Sequence, residues 1–412
     1  MENIEYLIIG GGLSGGYAAA AIRKRDTKGR VALITDEAHI PYDRVPLSKG
    51  YLEDKIKEES LFFKKQQFYD GNKIELFTDH QVIKLDAKNR QVELGDGRMI
   101  SFGRLLLATG GRPRKIAVPG SDLDRIYYLR TIEDCLQLKE AASKFRSVAI
   151  IGGGFIGCEL AAAFRSKGLN PTIIEMGPYL LNMAIDEESG KWLGEYLAER
   201  GVKVLVNSTA ARFMNENDKV TGIETKSGES VKADFVVVGV GIAPNTKLAE
   251  DAGLKVDRGI LTNEFLETSV EGIYAAGDAA RFYSLLFERH LRLEHYDVAV
   301  KHGNIAGANM AGAREAYLEL PYFFSYQFDL KINAYGDLSH RTRIVKRGSL
   351  SDKEGFFQFY FNEDRIDAVL SVNRGFDEIK KARELVTRRI RFPEPSEISD
   401  ESKTLESWLT NS

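Results

Sequence analysis

Two glycine loops of one pattern carry the first recognisable chemistry in this 412-residue chain. In Leu7-Ile-Ile-Gly-Gly-Gly-Leu-Ser-Gly15, the residues Gly10, Gly12 and Gly15 fall at GxGxxG spacing, with Leu13 and Ser14 inside the loop. About 140 residues on, Gly152, Gly154 and Gly157 repeat it, with Phe155 and Ile156 between them. The spacing suits a dinucleotide. Its first glycine permits a tight turn, its second lets backbone approach a pyrophosphate, and its third lets helix pack on strand. The helix N-terminus then turns unpaired N–H groups and a positive dipole end towards the phosphates. Each loop leads to a second strand that ends in acid, Val31–Asp36 with Glu37 next, and Pro171–Glu175. A carboxylate there can accept hydrogen bonds from a ribose diol. A lone GxGxxG would be weak evidence. Two copies, each after a buried strand and before an alanine-rich helix, outweigh the alternative that the glycines serve sheet packing alone.

The elements that must hold these loops are legible around them. Tyr6-Leu-Ile-Ile9 and Val148-Ala-Ile-Ile151 are continuous apolar runs, as strands buried on both faces require. Arg104–Gly110 and Ala233–Gly241 are further apolar strands that end in small residues, among them Ala108, Thr109, Gly110 and Gly241. Gly272-Ile-Tyr-Ala-Ala-Gly277-Asp278 is another segment suited to face a nucleotide, and Glu294–Ala306 reads as a helix opened by Glu294 and His295. From Phe328 the pattern changes. Residues 331–335, 343–345, 355–361 and 366–372 alternate as antiparallel strands, and Asp377–Arg391 reads as a basic helix. The fold class expected is α/β, with two Rossmann-type nucleotide-binding domains and a C-terminal α+β domain.

Composition narrows the field. A formal charge of −3 gives no reason to expect nucleic acid or an anionic membrane as partner. No apolar run approaches a membrane span, and the first residues lack a signal-peptide pattern, so a cytoplasmic protein is expected. Cys135 and Cys158 are the only cysteines, far apart and in no CxxC spacing, and the six histidines form no cluster, so neither a redox disulfide nor a metal site is expected.

Taken in order, GGGLSG, PYDRVPLSK, LLLATGGRP, GGGFIGCELA, VVVGVGIAPN and IYAAGD resemble the FAD-dependent NADH reductases of the glutathione-reductase superfamily. Pro41–Lys49 is similar to the branch that holds ferredoxin and rubredoxin reductases, monodehydroascorbate reductase and apoptosis-inducing factor. The resemblance covers nearly the whole chain. It implies a discontinuous FAD domain at 1–115 and 245–322, an NAD domain at 116–244 and a C-terminal domain at 323–393; the acidic, polar composition of 394–412 reads as a tail or surface strap. It implies that Gly10, Gly12, Ser14 and Gly15 form the FAD pyrophosphate loop, and that Asp36, or less well Glu37, takes the adenosine ribose. By the same resemblance Val82 touches adenine, Arg44, Ala108, Thr109, Gly110 and Arg130 lie along the cofactor, and Gly277 and Asp278 reach the ribityl and pyrophosphate region. The resemblance also implies that Glu294 and His295 open a helix aimed at the flavin's pyrimidine edge. Lys49 and Glu159 are implied as a catalytic pair beside flavin N5.

One departure from the branch stands in Pro321–Phe328. Where oxygenase-coupled reductases carry tryptophan and aspartate, this chain has Phe324 and Tyr326. Together with Glu294-His295 this leans towards the monodehydroascorbate reductase pattern. The expected function is an NADH:acceptor oxidoreductase, with electrons leaving to a small redox protein or a small radical-forming molecule. The rival is an NADH-sensing flavoprotein with slow turnover. A membrane quinone reductase would need an apolar anchor that the sequence lacks. Assembly state, including a homodimer, is left open. Glu175, followed by Met176-Gly-Pro-Tyr179 with no arginine, points to NADH over NADPH.

Overall fold

The computed structural model describes residues 2–351 and 353–410. The chain divides into two units. The first comprises Met1–Asp43, Lys57–Arg112 and Ile242–Pro321, and the second Arg44–Ile56, Pro113–Gly241 and Tyr322–Ser412. Arg44–Ile56, expected with the FAD domain, therefore groups with the second unit.

In the first unit the apolar runs become the strands of a seven-stranded sheet. Its order is Ile74–Phe77, Val31–Ile34, Glu2–Ile9, Met99–Leu107, Gln91–Leu94, Val82–Asp86, with Ile273–Ala275 also paired to Met99–Leu107. The strands around Glu2–Ile9 run parallel. Leu7, Ile8, Leu33, Leu105 and Leu106 are fully buried, each contributing about 1.5–3 kcal/mol relative to exposure. Parallel pairing places the segments after these strands along one edge of the sheet, where α/β proteins bind ligands. The ladder runs on into those segments: Gly10 N–H donates to Ile34 O (2.8 Å), Ala108 N–H to Ile9 O (2.8 Å) and Ala276 N–H to Leu107 O (3.1 Å). Helix Leu13–Arg25 follows the first loop and ends on the basic residues Arg23, Lys24 and Arg25, as the helix dipole favours. Helix Tyr296–Met310 packs closely against it.

The second unit repeats this plan. Lys203–Leu205, Asn170–Ile174, Ser147–Ile151, Phe235–Val238 and Ile126–Tyr127 form a parallel sheet in that order. Helix Phe155–Ser166 follows the second loop. The same unit holds the five-stranded antiparallel sheet of Tyr322–Gln327, Leu330–Gly336, Arg365–Val372, Phe356–Asn362 and Arg343–Gly348. The first of these strands begins before the expected change of pattern at Phe328. Its run Tyr322-Phe-Phe-Ser-Tyr-Gln reads poorly because one edge strand carries aromatic residues on both faces.

Helix Phe376–Thr387 is shorter than the expected Asp377–Arg391. Arg389 takes a left-handed backbone (φ 50°) and the chain turns back, so Phe392 N–H donates to Asp364 O and the Phe392 ring is buried. Arg389 then pairs with the buried Asp367 (2.8 Å) and Arg391 with Asp364 (3.1 Å). The basic run is thus largely neutralised within its own unit. Residues 394–410 form Pro395–Ser399 and Leu405–Thr410, held by the buried Arg347 guanidinium, which donates to Ile398 O, Asp400 O and Lys403 O.

Candidate active site

Each loop keeps its three glycines in distinct roles. Gly10 and Gly152 have φ of 119° and 109°, which L side chains rarely adopt. A Cβ on either would lie 2.1 Å from Ala108 O or 2.5 Å from Gly239 O. Gly15 and Gly157 bring helix onto turn so closely that a Cβ would meet Gly10 O or Gly152 O. Gly12 and Gly154 are the N-caps of their helices, and a Cβ there would meet nothing within 4 Å. Open space above a bare helix N-terminus is what a pyrophosphate needs, so the residues of both loops fit a dinucleotide.

Along the edge of the first sheet the predicted residues come together. Asp36 lies just past the end of Val31–Ile34 and is exposed, and no described residue donates to its carboxylate. Glu37 is engaged, accepting from Tyr42 Oη at 2.5 Å. Thr109 and Gly110 are clasped by Asn245, a residue sequence reasoning quoted without assigning. Thr109 Oγ1 donates to Asn245 O (2.7 Å), and Asn245 returns bonds to Thr109 O (2.9 Å) and Gly110 O (2.9 Å). Ser14, 5% exposed, donates its hydroxyl to Ala299 O (2.9 Å) of helix Tyr296–Met310. Its first service is thus to bind two helices. His295 is the N-cap of that second helix, and Glu294 pairs with Arg292 (2.6 Å) just before it. Gly277 and Asp278 form a short turn after Ile273–Ala275, and Val82 opens its strand half-buried.

In the second unit Glu175 stands just past the end of strand Asn170–Ile174. Buried to 7% exposure, it accepts from Gly153 N–H (2.6 Å), Gly177 N–H (2.6 Å) and Asn182 Nδ2 (3.0 Å). These three bonds hold a carboxylate rigidly beside the glycine loop and leave about one lone-pair site, on Oε2, for a further donor. Ile156 is exposed and Phe155 half-buried at the start of the loop helix, while Gly241 (φ 91°) is open above its strand.

Lys49 and Glu159, 110 residues apart in sequence, meet in this unit. Val45–Ser48 form a 3₁₀ turn with Pro46 in its opening, and Lys49 stands at its C-terminal cap beside Ser48. Lys49 Nζ and Ser48 Oγ each lie 2.6 Å from Glu159 Oε2, and Ser325 Oγ lies 2.6 Å from Oε1. Glu159 is 3% exposed, a burial tolerable only because a cation and two hydroxyls serve its oxygens. Phe324 lies across Lys49, its ring centre 5.9 Å from Nζ, and Phe323 packs edge-on against Phe155 at 4.9 Å.

Further contacts fasten segment Arg44–Ile56. Arg44 donates to Arg130 O (2.7 Å), Cys135 Sγ to Leu47 O (3.3 Å), and Asp54 pairs with Lys139 (2.7 Å) and Lys167. The Lys139 ammonium, with Lys167 beside it, holds the Asp54 carboxyl below its usual range. Ser48 and Ser325 are functional candidates that sequence reasoning missed, although both stand in stretches it had quoted.

Both cysteines are free and buried. Burial pushes the Cys135 thiol up to about 12 and raises that of Cys158 as well. Neither thiol supplies a nucleophilic thiolate near neutral pH.

These two glycine-loop sheets define a two-dinucleotide oxidoreductase, and comparison with known proteins names its family. The chain belongs to the pyridine nucleotide-disulphide oxidoreductases, whose sequence profile matches residues 4–303, and the reductase C-terminal profile matches residues 322–409. It is 35% identical to rhodocoxin reductase of Rhodococcus erythropolis, over 96% of this chain and 92% of that protein. It is 33% identical to putidaredoxin reductase of Pseudomonas putida, over 98% and 96%. Among solved structures, a ferredoxin reductase from Rhodopseudomonas palustris superposes with a TM-score of 0.92 at 32% identity, over 99% of each chain. The reductase in a covalent putidaredoxin reductase–putidaredoxin complex gives 0.93, also at 32%, over 100% of this chain and 99% of that one. The protein is an FAD- and NAD(H)-dependent oxidoreductase of the ferredoxin-reductase type. The family's redox disulfide has no counterpart in its two separate, buried thiols.

Proposed function

We propose that this chain takes hydride from NADH onto FAD and delivers the electrons singly to a small iron–sulfur protein of the ferredoxin type. The observation that carries the acceptor is the end-to-end match to reductases named for such partners, the C-terminal region included. When bound, the flavin supplies the conversion of a two-electron donor to one-electron delivery. The loop of Gly10, Gly12 and Gly15 would hold the FAD pyrophosphate, with Asp36 on its ribose and Asp278 further along. The loop of Gly152, Gly154 and Gly157 would hold NADH, with Glu175 accepting from its ribose diol and repelling a 2′-phosphate.

Lys49 is the cation at the reacting end. Glu159 orients it, Ser48 and Ser325 orient Glu159, and the positive charge favours negative charge gathering on a reduced cofactor. The Phe324 ring faces the Lys49 ammonium, 5.9 Å from Nζ. A second reading rests on Tyr326. This tyrosine is 45% exposed beside Phe324 at 5.4 Å, where the branch's oxygenase-coupled members carry an acid, and it suits a small radical acceptor. Among the described residues no helix is long and apolar enough to cross a membrane, and a cytoplasmic site of action goes with NADH as donor.

Steady-state NADH oxidation with a [2Fe–2S] ferredoxin, a rubredoxin and monodehydroascorbate as alternative acceptors tests the proposal. The ferredoxin should give the highest kcat/KM, and a preference for monodehydroascorbate would replace the acceptor.

A further inference from the structure

We propose that His302 is a positioning residue for FAD, holding the Gly277–Asp278 turn in its binding shape through a bare imidazole nitrogen. The inference rests on the reading of that turn as part of the FAD cradle.

His302 lies in helix Tyr296–Met310 and is wholly buried. Its Nδ1 is 3.3 Å from the backbone nitrogen of Gly277. A backbone N–H can only donate, so Nδ1 must carry the lone pair and the ring proton sits on Nε2. The ring is therefore neutral, and burial supports this by driving its pKa down to about 3. Among the described residues Nε2 has no hydrogen-bond partner, nor has Tyr317 Oη in the neighbouring ring. His302, Phe282 and Tyr317 form a closed box of edge-on rings with centres 4.6 to 5.0 Å apart. An apolar side chain would fill that box without burying an unpartnered N–H. The polar service of the ring is thus confined to Nδ1 and Gly277.

Gly277 needs that service. Its φ is 69°, and a Cβ there would lie 2.5 Å from Ser14 Oγ, so the turn is wedged against the first glycine-loop helix. Ser14 in turn donates to Ala299 O. Ala299 and His302 are three residues apart and share one face of their helix. That face thus fastens the Gly10–Gly15 loop through Ala299 and the Gly277–Asp278 turn through His302. Gly303 brings it close, since a Cβ there would meet Ser14 O at 2.4 Å. Without Nδ1, the Gly277 N–H is a buried donor with no acceptor, and the turn must shift to find one, carrying Asp278 with it.

The test compares His302→Leu, which fills the box but accepts nothing, with His302→Asn, whose Oδ1 takes the place of Nδ1 but leaves a void. FAD affinity is read by flavin fluorescence on dilution of the purified holoenzymes, and fold stability by urea unfolding at saturating FAD. His302→Leu should raise the FAD dissociation constant roughly tenfold. His302→Asn should stay within about threefold of wild type while unfolding at lower urea. A Leu variant that binds FAD like wild type overturns the inference. So does a loss of affinity that follows the loss of stability in both variants. If the Leu variant does not fold, His302→Met takes its place under the same criteria. Asp278→Ala separates the two levels of the argument. If it binds FAD like wild type, the reading of the turn fails. If it binds weakly while His302→Leu binds normally, only the role of His302 fails.

Discussion

Replacing Lys49 by Met removes the cation hydrogen-bonded to the buried Glu159 carboxylate while keeping most of the side chain's length. At 2.6 Å and an effective dielectric constant of about 20, the Lys49–Glu159 attraction is about 6 kcal/mol. Most of that offsets the desolvation of Glu159, which is 3% exposed. Deleting one partner of a fully buried pair costs about 3–5 kcal/mol. Here the Lys49 side chain keeps 17% exposure and two serine hydroxyls remain on the carboxylate, so the lower value of about 2–3 kcal/mol is expected.

In a cycle with Glu159→Gln, followed by urea unfolding of the FAD-bound protein, Lys49→Met should cost at least about 1.5 kcal/mol less once Glu159 is neutral. In anaerobic single turnover, Lys49→Met should slow flavin bleaching by NADH roughly ten- to a hundredfold and lower the flavin potential. Glu159→Gln should do less, because the cation remains. A coupling below about 0.5 kcal/mol with an unchanged bleaching rate would leave Lys49 as a residue that merely ends a turn.

Other outcomes follow from the same geometry. NADH should exceed NADPH in kcat/KM by roughly tenfold or more, and Glu175→Ala should narrow that ratio; equal efficiency in the wild type would remove Glu175 from its assigned role. Cys135→Ser with Cys158→Ser should leave NADH-to-dye turnover nearly intact, and the native protein should resist iodoacetamide at pH 8, because burial keeps both thiols protonated. Loss of flavin reduction in a folded, FAD-loaded double variant would reveal a thiol step. Gly303→Ala puts a Cβ 2.4 Å from Ser14 O, a backbone atom that cannot step aside, and should cost about 1–3 kcal/mol in urea unfolding along with FAD affinity. Wild-type stability there would mean that the two helices are free to separate.

What the sequence disclosed and what it hid divide on physical grounds. The glycine loops, their strands and Glu175 depend on residues close in sequence, where spacing alone carries the geometry, so they could be read directly. The pairing of Lys49 with Glu159 was accessible only through family resemblance, because its partners stand 110 residues apart. Ser48 and Ser325 reach the same carboxylate across 111 and 166 residues, and a serine in a loop or a strand gives no local sign of such a bond. His302 was hidden for a similar reason, since a lone histidine inside a small-residue helix looks like packing until Gly277 is seen against it. The end of helix Phe376–Thr387 was misjudged because Arg388–Arg391 continue a helical composition. It is Asp364, in the turn before strand Arg365–Val372, and Asp367, within that strand, that pair with Arg391 and Arg389 outside the helix.

In the proposed reaction, electrons from NADH cross this protein's flavin to a one-electron protein acceptor. Double-mixing anaerobic stopped flow tests it most directly, with NADH bleaching the enzyme-bound FAD in the first mix and oxidised [2Fe–2S] ferredoxin added in the second. Flavin colour should return as the ferredoxin is reduced, at a rate sufficient for steady-state turnover. A bleached flavin that persists for minutes in the presence of ferredoxin would contradict it and favour a protein that senses NADH.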